Sequence, residues 1–296
     1  MSDRALLLAD SRKSATDSSS AGASSRSRKV LLHAVMLGFA FFAIYPLLFM
    51  LSGSLKPVHE LTSLPPNLVP ERFTVDGYSH LIEETPFVRW FINSVVVTTL
   101  RVVFTLIVAA MAAFSFAVYH FKFRRLLFLM VIGSVLLPFE VIYLPLLKLT
   151  IDIGWVNTYQ ALIVPFIASG FSVFVLHQFM VTIPPSLFEA ARADGSSEWQ
   201  LFRYIAVPVS RPAFGALGII LFLQAWNSFF WPLIVLHDPE KFVLPVGATS
   251  ILGRAFHEQQ FMTAALAASV LMTIPLVLVF LALQKQFVAG LTRASR

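Results

Sequence analysis

Long apolar runs separated by short polar stretches set the layout of this chain. They fall at 30–52, 91–118, 126–147, 159–180, 212–236 and 263–284. None alternates with the period of two that marks a barrel strand, and each is long enough to cross about 30 Å of hydrocarbon as a helix. Hydrocarbon offers no water to bond a backbone amide, so runs of this length must pair their amides internally. The pattern predicts an all-α polytopic membrane protein with six transmembrane helices. No small-residue cleavage site follows the first run, so that run reads as an uncleaved span, and both termini lie on one side of the membrane. Residues 1–29, with DSSSAGASSRSRK at 17–29, read as a disordered tail. A six-helix transmembrane domain is expected over 30–292, and residues 293–296 form a C-terminal end.

Lys and Arg decide the orientation. With the N-terminus inside, Arg4, Arg12, Lys13, Arg26, Arg28, Lys29, Lys122, Arg124, Arg125, Arg192, Arg203, Arg211, Lys285, Arg293 and Arg296 fall on the inner side. The outer segments hold only Lys56, Arg72, Arg89, Lys148, Lys241 and Arg254. This bias places both termini in the cytoplasm. The surplus of base, a formal charge of +6, is thereby explained by topology, and no nucleic-acid partner is expected. The longest connection between runs, 53–89 on the outer side, is rich in proline and suits an external partner.

Composition removes several classes of chemistry. The chain has 57% hydrophobic and 13% charged residues and no cysteine, so thiolate metal sites and cysteine nucleophiles are excluded. No two of the seven histidines stand at a helical metal-ligand spacing. No GxxxxGK[ST] phosphate loop occurs, no cofactor is expected, and any ATP used must be hydrolysed elsewhere. An integral-membrane enzyme would need a clustered nucleophile, base or metal set near one face, and a secondary transporter would show inverted halves with matching broken helices. Neither pattern is visible.

The polar stretch EAARADGSSEWQLFRYIAVPVSRP, 189–212, is an expected helix, turn and second helix on the cytoplasmic side. Pro184 and Pro185 suit a first turn, Leu187, Ala190 and Ala191 give a small close-approach face beside Glu189, and Asp194 with Gly195 stops the helix. Ser196 or Ser197 caps a second helix that Pro208 ends, with Leu201, Phe202, Ile205 and Val207 free to pack on the spans.

EAARADG followed by Phe202, Pro208 and Pro212 resembles the EAA loop of binding-protein-dependent ABC transporter permeases, one departure being Ser196 where Ala is commoner. LPPNLVP at 64–70 with Tyr78, WFINS at 90–94, WNSFFWPLIV at 226–235, FVLPVG at 242–247 and QKQFVAGLT at 284–292 extend the likeness to the inner-membrane permeases of maltose-type carbohydrate uptake systems. The resemblance implies a coupling (EAA) loop over 182–212, with Glu189, Ala190, Ala191, Asp194 and Gly195 docking on a separate ATPase subunit that binds the ATP. It also implies a second homologous permease, two ATP-binding-cassette subunits, an extracytoplasmic solute-binding protein, a carbohydrate substrate, and a bacterial or archaeal plasma (inner) membrane as the location.

Within the spans, Arg101 and Glu140 fall at similar depth and are a candidate ion pair, read either as a bundling contact or as part of the path. Gln224, Trp226 and Asn227 are candidate path-lining residues, with interhelical packing as the alternative. Pro138, Pro145, Pro165, Pro232 and Pro275 can kink their spans.

Overall fold

The computed structural model describes residues 3–63 and 67–294, with side chains for 29–63, 67–282 and 284. Every regular element among the described residues is helical. The chain opens with α1 (Asp3–Ser54), continues through the one-turn α2 (Val58–Leu61) and the short α3 (Asp76–Glu83), and then enters α4 (Phe87–Val118). The expected disordered tail is helical backbone from Asp3 onward, as an extension of the first span. Residues 3–29 carry no proline and only Gly22 to interrupt a helix already nucleated downstream. Pro65 and Pro66 of the LPPNLVP stretch, and Ser295 and Arg296 of the C-terminal end, lie outside the described residues.

Two expected spans are broken. The third run splits into α5 (Arg124–Val135) and α6 (Phe139–Asp152), which meet at 99° around Pro138. The fourth splits into α7 (Gln160–Ile163) with a 3-10 turn over Val164–Phe166, and then α8 (Gly170–Met180), bent by 42°. Proline lacks the amide that would continue each helix and disfavours the helical conformation in the residue before it. Four helical stretches cross a membrane by length and composition, Lys29–Ser54, Phe87–Val118, Arg211–Val235 and Gln260–Ala282, and the count reaches six if each bent pair is one span.

After α8 come α9 (Pro185–Ala193), α10 (Glu198–Gln200), a π-helical turn over Leu201–Ala206, and α11 (Val207–Val209). The last part holds α12 (Arg211–Trp226), α13 (Phe230–Val235), α14 (Leu244–Ala255) and α15 (Gln260–Ala294). The segment 237–262 between the last two apolar runs is largely folded: α14 buries Leu244, Val246, Gly247 and Ile251.

At 32 residues, α4 is about 48 Å long, and α8, α12 and α14 pack around it while α15 packs on α3, α12 and α14. Small side chains let the helices approach closely: Ala109, Ala110 and Ala113 of α4, and Ala264, Ala267 and Ala268 of α15, are all at most 2% exposed. Their apolar outer faces stay open; Val103, Ile107 and Met111 of α4 are all exposed. In water such a surface would aggregate, whereas acyl chains or a partner span cover it at no cost.

At the Phe87 end of α4, Trp90 packs on Phe242 and its Nε1 donates to the Pro239 carbonyl at 2.7 Å. A Cβ on Gly247 would fall on the indole of Trp90. The indole cannot withdraw without breaking its bond to Pro239. Gly247→Ala is therefore expected to lower stability by about 1–3 kcal/mol, as overpacking does, seen as a drop in the melting temperature of the purified protein. An unchanged melting temperature would show that the indole has room to move.

Candidate functional site

The loop after α8 is built as a hinged knob on the end of the bundle. Pro185 occupies the first turn of α9, where its missing amide has no helical partner in any case. One face of α9 enters the core: Phe188 is 5% exposed and meets the Phe114 ring edge-on at 6.1 Å, and Ala191 packs on the same cluster. Glu189, Ala190, Asp194 and Gly195 are exposed. The close-approach face read from the sequence thus divides, with Ala190 outward and Ala191 inward, because a residue three places after Phe188 shares its side of the helix.

Gly195 ends α9 at φ +84°, a left-handed conformation that costs glycine nothing and other residues considerably more. The amides of Gly195 and Ser196 donate to Arg192 and Ala191 carbonyls at 3.0 and 2.9 Å, which closes the turn. Ser197 then caps the next helix reciprocally with Gln200. Pro208 does not end this helix as expected. A π turn over Leu201–Ala206 opens the ladder ahead of the proline, and α11 continues through it. Leu201 is fully buried, and Phe202 meets Phe114 at 5.4 Å, so both helices of the loop rest on one aromatic side chain of α4.

A polar tie, missed in the sequence, holds the loop from the other side. Arg192 donates through Nε and Nη2 to the two oxygens of Glu198, at 2.8 and 3.2 Å, and Tyr119, just past the end of α4, donates its hydroxyl to Glu198 at 2.6 Å. The Arg192 guanidinium, and after it the Tyr119 hydroxyl, hold the Glu198 carboxyl below its ordinary value. Burial, and then the bond to Glu198, push Tyr119 up to about 12. Only a six-residue spacing between opposite charges could have suggested the pair, and nothing in the sequence pointed to Tyr119.

Arg101 and Glu140 are not brought together. Because the third span breaks at Pro138, Glu140 sits exposed in the first turn of α6 rather than deep in a continuous span. The Arg101 guanidinium lies over the Phe166 ring at 3.9 Å and, among the described residues, has no carboxylate within 4.0 Å. With Ser94, Thr98 and Ser228 it borders a cavity of only ≈ 10 Å³, room for about one water. Trp226 is packed inside the subunit, 1% exposed, stacked on Phe222 and donating to the Met272 carbonyl at 3.1 Å. Gln224 and Asn227 are exposed, and Asn227 closes α12 by donating its Nδ2 to Leu223 at 2.9 Å, leaving Oδ1 open.

A family model described as the binding-protein-dependent transport system inner membrane component matches residues 102–293. Over 267 residues the chain is 36% identical to the arabinooligosaccharides transport system permease protein AraQ of Bacillus subtilis, covering 89% of this chain and 94% of that one. It is 30% identical over 270 residues to the lactose transport system permease protein LacG of Rhizobium radiobacter, covering 88% and 94%. Its fold matches a chain in the crystal structure of a bacterial ABC transporter involved in the import of the acidic polysaccharide alginate, with a TM-score of 0.78 at 23% identity over 87% of this chain and 95% of that one.

The Glu198 tie has a defined pH window. A carboxyl with a depressed folded value contributes above its unfolded value and loses that contribution as the pH falls through the folded one. For Tyr119 the sign reverses: its contribution is complete below the ordinary tyrosine value and is lost as the pH rises through about 12. Glu198→Gln should therefore melt below the wild type at pH 7, with amide exchange over residues 192–200 faster by at most about fivefold, as expected for an exposed ion pair. Acidification should bring the two melting curves together. Curves that stay apart at low pH would mean that the carboxylate charge is not what holds the loop.

Proposed function

Since the chain belongs to the family of binding-protein-dependent transport system inner membrane components, we propose that it is the permease subunit through which an ATP-driven importer moves a carbohydrate. The coupling loop carries this reading: a two-proline start, an exposed Glu189–Ala190 face and a glycine turn, all mounted on Phe114 at one end of α4. It offers shape and no reacting groups, which suits docking on a separate ATPase. The relatives support a carbohydrate as cargo, since their names specify arabinooligosaccharides and lactose. A second homologous permease would cover the open apolar faces, two ATP-binding-cassette subunits would supply the ATP hydrolysis, and a soluble binding protein would deliver the solute. A related fold has been solved in complex with an alginate pentasaccharide-bound periplasmic protein, TM-score 0.60, which supports such a partner. The Lys and Arg bias supports cytoplasmic termini and a cytoplasmic coupling loop in the plasma membrane of a bacterium or archaeon.

Docking is tested best where the side chain faces outward. Ala190→Arg puts a large cation on the exposed face without touching the core, and Gly195→Pro demands a negative φ and removes the amide that bonds Arg192. Both variants should assemble with the second permease but lose copurification of the ATPase and ATP-dependent uptake in proteoliposomes. Survival of both activities would exclude this loop as the coupling element.

Asn227, at the C-terminal cap of α12, presents its Oδ1 acceptor at the surface. Asn227→Ala should lower uptake several-fold while complex assembly and solute capture by the binding protein stay intact. Failure of assembly instead would assign the side chain to a subunit interface.

A further inference from the structure

The connection FKFRR, 121–125, joins α4 to α5 at the same end of the bundle as the coupling loop. Phe121, Phe123, Arg124, Arg125 and Phe128, together with His177 of α8, enclose an open cavity of ≈ 550 Å³. Its lining holds three benzyl groups, two guanidinia and no carboxylate. The aromatic wall is fixed: Phe116 meets Phe121 at 5.9 Å and Phe128 at 5.4 Å, and Phe128 lies 4.2 Å from the imidazole of His177. The buried Nδ1 of His177 has no hydrogen-bond partner. Among the described residues neither Arg124 nor Arg125 has an ion-pair partner, and the first turn of α5 has no side-chain cap. Two unneutralised guanidinia beside uncapped amides make a site for an anion.

The surroundings narrow the anion to an amphiphile. Phe123 is 62% exposed and Phe121 40%, and the next turns of α5 expose Leu126, Leu129 and Met130. An ion that is only hydrophilic would leave this apolar rim in water, whereas a lipid would cover it with its glycerol and acyl parts. We propose that this cavity seats the headgroup of an anionic phospholipid from the leaflet beside the coupling loop. Arg124 and Arg125 hold the phosphate, and the phenylalanines lie at the boundary between headgroup and acyl chains. The site adjoins the aromatic cluster under the coupling loop through Phe116, which lies two residues beyond Phe114 in α4.

The test uses the assembled transporter in nanodiscs of phosphatidylcholine with increasing phosphatidylglycerol, with bound lipid read by native mass spectrometry. Arg124→Gln/Arg125→Gln should weaken phosphatidylglycerol binding about 30-fold, since each basic residue near an anionic surface is worth about 1 kcal/mol. Arg124→Lys/Arg125→Lys keeps the charge that orients the spans and should bind with intermediate strength. Unchanged phosphatidylglycerol binding in the Gln variant would overturn the proposal. Competition by inorganic phosphate at the same concentrations would overturn the lipid assignment, and loss of the second permease from the Gln complex would show that a protein covers this face instead.

Discussion

Every break in a helix inside a membrane leaves backbone groups that only the protein can satisfy, and in this chain several of them are met by side chains of α4. Asn93 donates to the carbonyls of Glu240 and Phe242 at 3.0 and 2.9 Å, Ser94 accepts from the Leu244 amide at 2.6 Å, and Trp90 donates to Pro239. Farther along, Thr105 donates to the Phe166 carbonyl at the fourth-span break, and Trp231 to the Ala161 carbonyl at 2.9 Å. An unpaired buried carbonyl would cost on the order of 1–3 kcal/mol at each place. The buried polar groups of α4 thus satisfy the turn before α14 and the fourth-span break at Phe166, while Trp231 of α13 does the same for α7.

The two ends of α4 are anchored differently. Its Phe87 end is clamped by directional hydrogen bonds to a turn, while its other end meets the 182–212 loop through Phe114, Phe188 and Phe202, apolar contacts that carry no directional bond. The Arg192–Glu198–Tyr119 tie supplies the missing direction at low energy. A rigid clamp at the Phe87 end of α4 and a looser seat at the Val118 end are what the docking role proposed for the 182–212 loop would use.

What was legible in the sequence was whatever depends on local pattern. Continuous apolar runs gave the spans, and the order proline, small residues, glycine gave the helix and turn over 185–195, because helix starts and stops are set by residues at their own positions. Pro138 was visible as a possible kink, but not as a 99° elbow, since the angle depends on what α6 packs against after the break. Depth along an ideal helix suggested that Arg101 and Glu140 meet, and that inference failed with the elbow. Trp226 read as a possible path residue because aromatic side chains serve packing and sugar stacking alike; only its burial separates the two. Ser94, Thr98 and Thr105 join Arg101 in a seam of polar residues three or four apart within an apolar span, the pattern of one buried polar face.

The sequence of α4 contains neither glycine nor proline over its whole length from Phe87 to Val118, unlike α1 and α15, which each carry a proline within the helix. It therefore lacks the usual points at which a long helix bends. A bar without a joint cannot absorb a tilt applied at one tip, so a sideways push on the aromatic seat arrives as rotation at the far tip, scaled by where the bar pivots. The Ala109–Ala113 stretch, whose small buried side chains let neighbouring helices approach closely, is the natural fulcrum, and because it lies nearer Val118 than Phe87, the Phe87 tip has the longer arm.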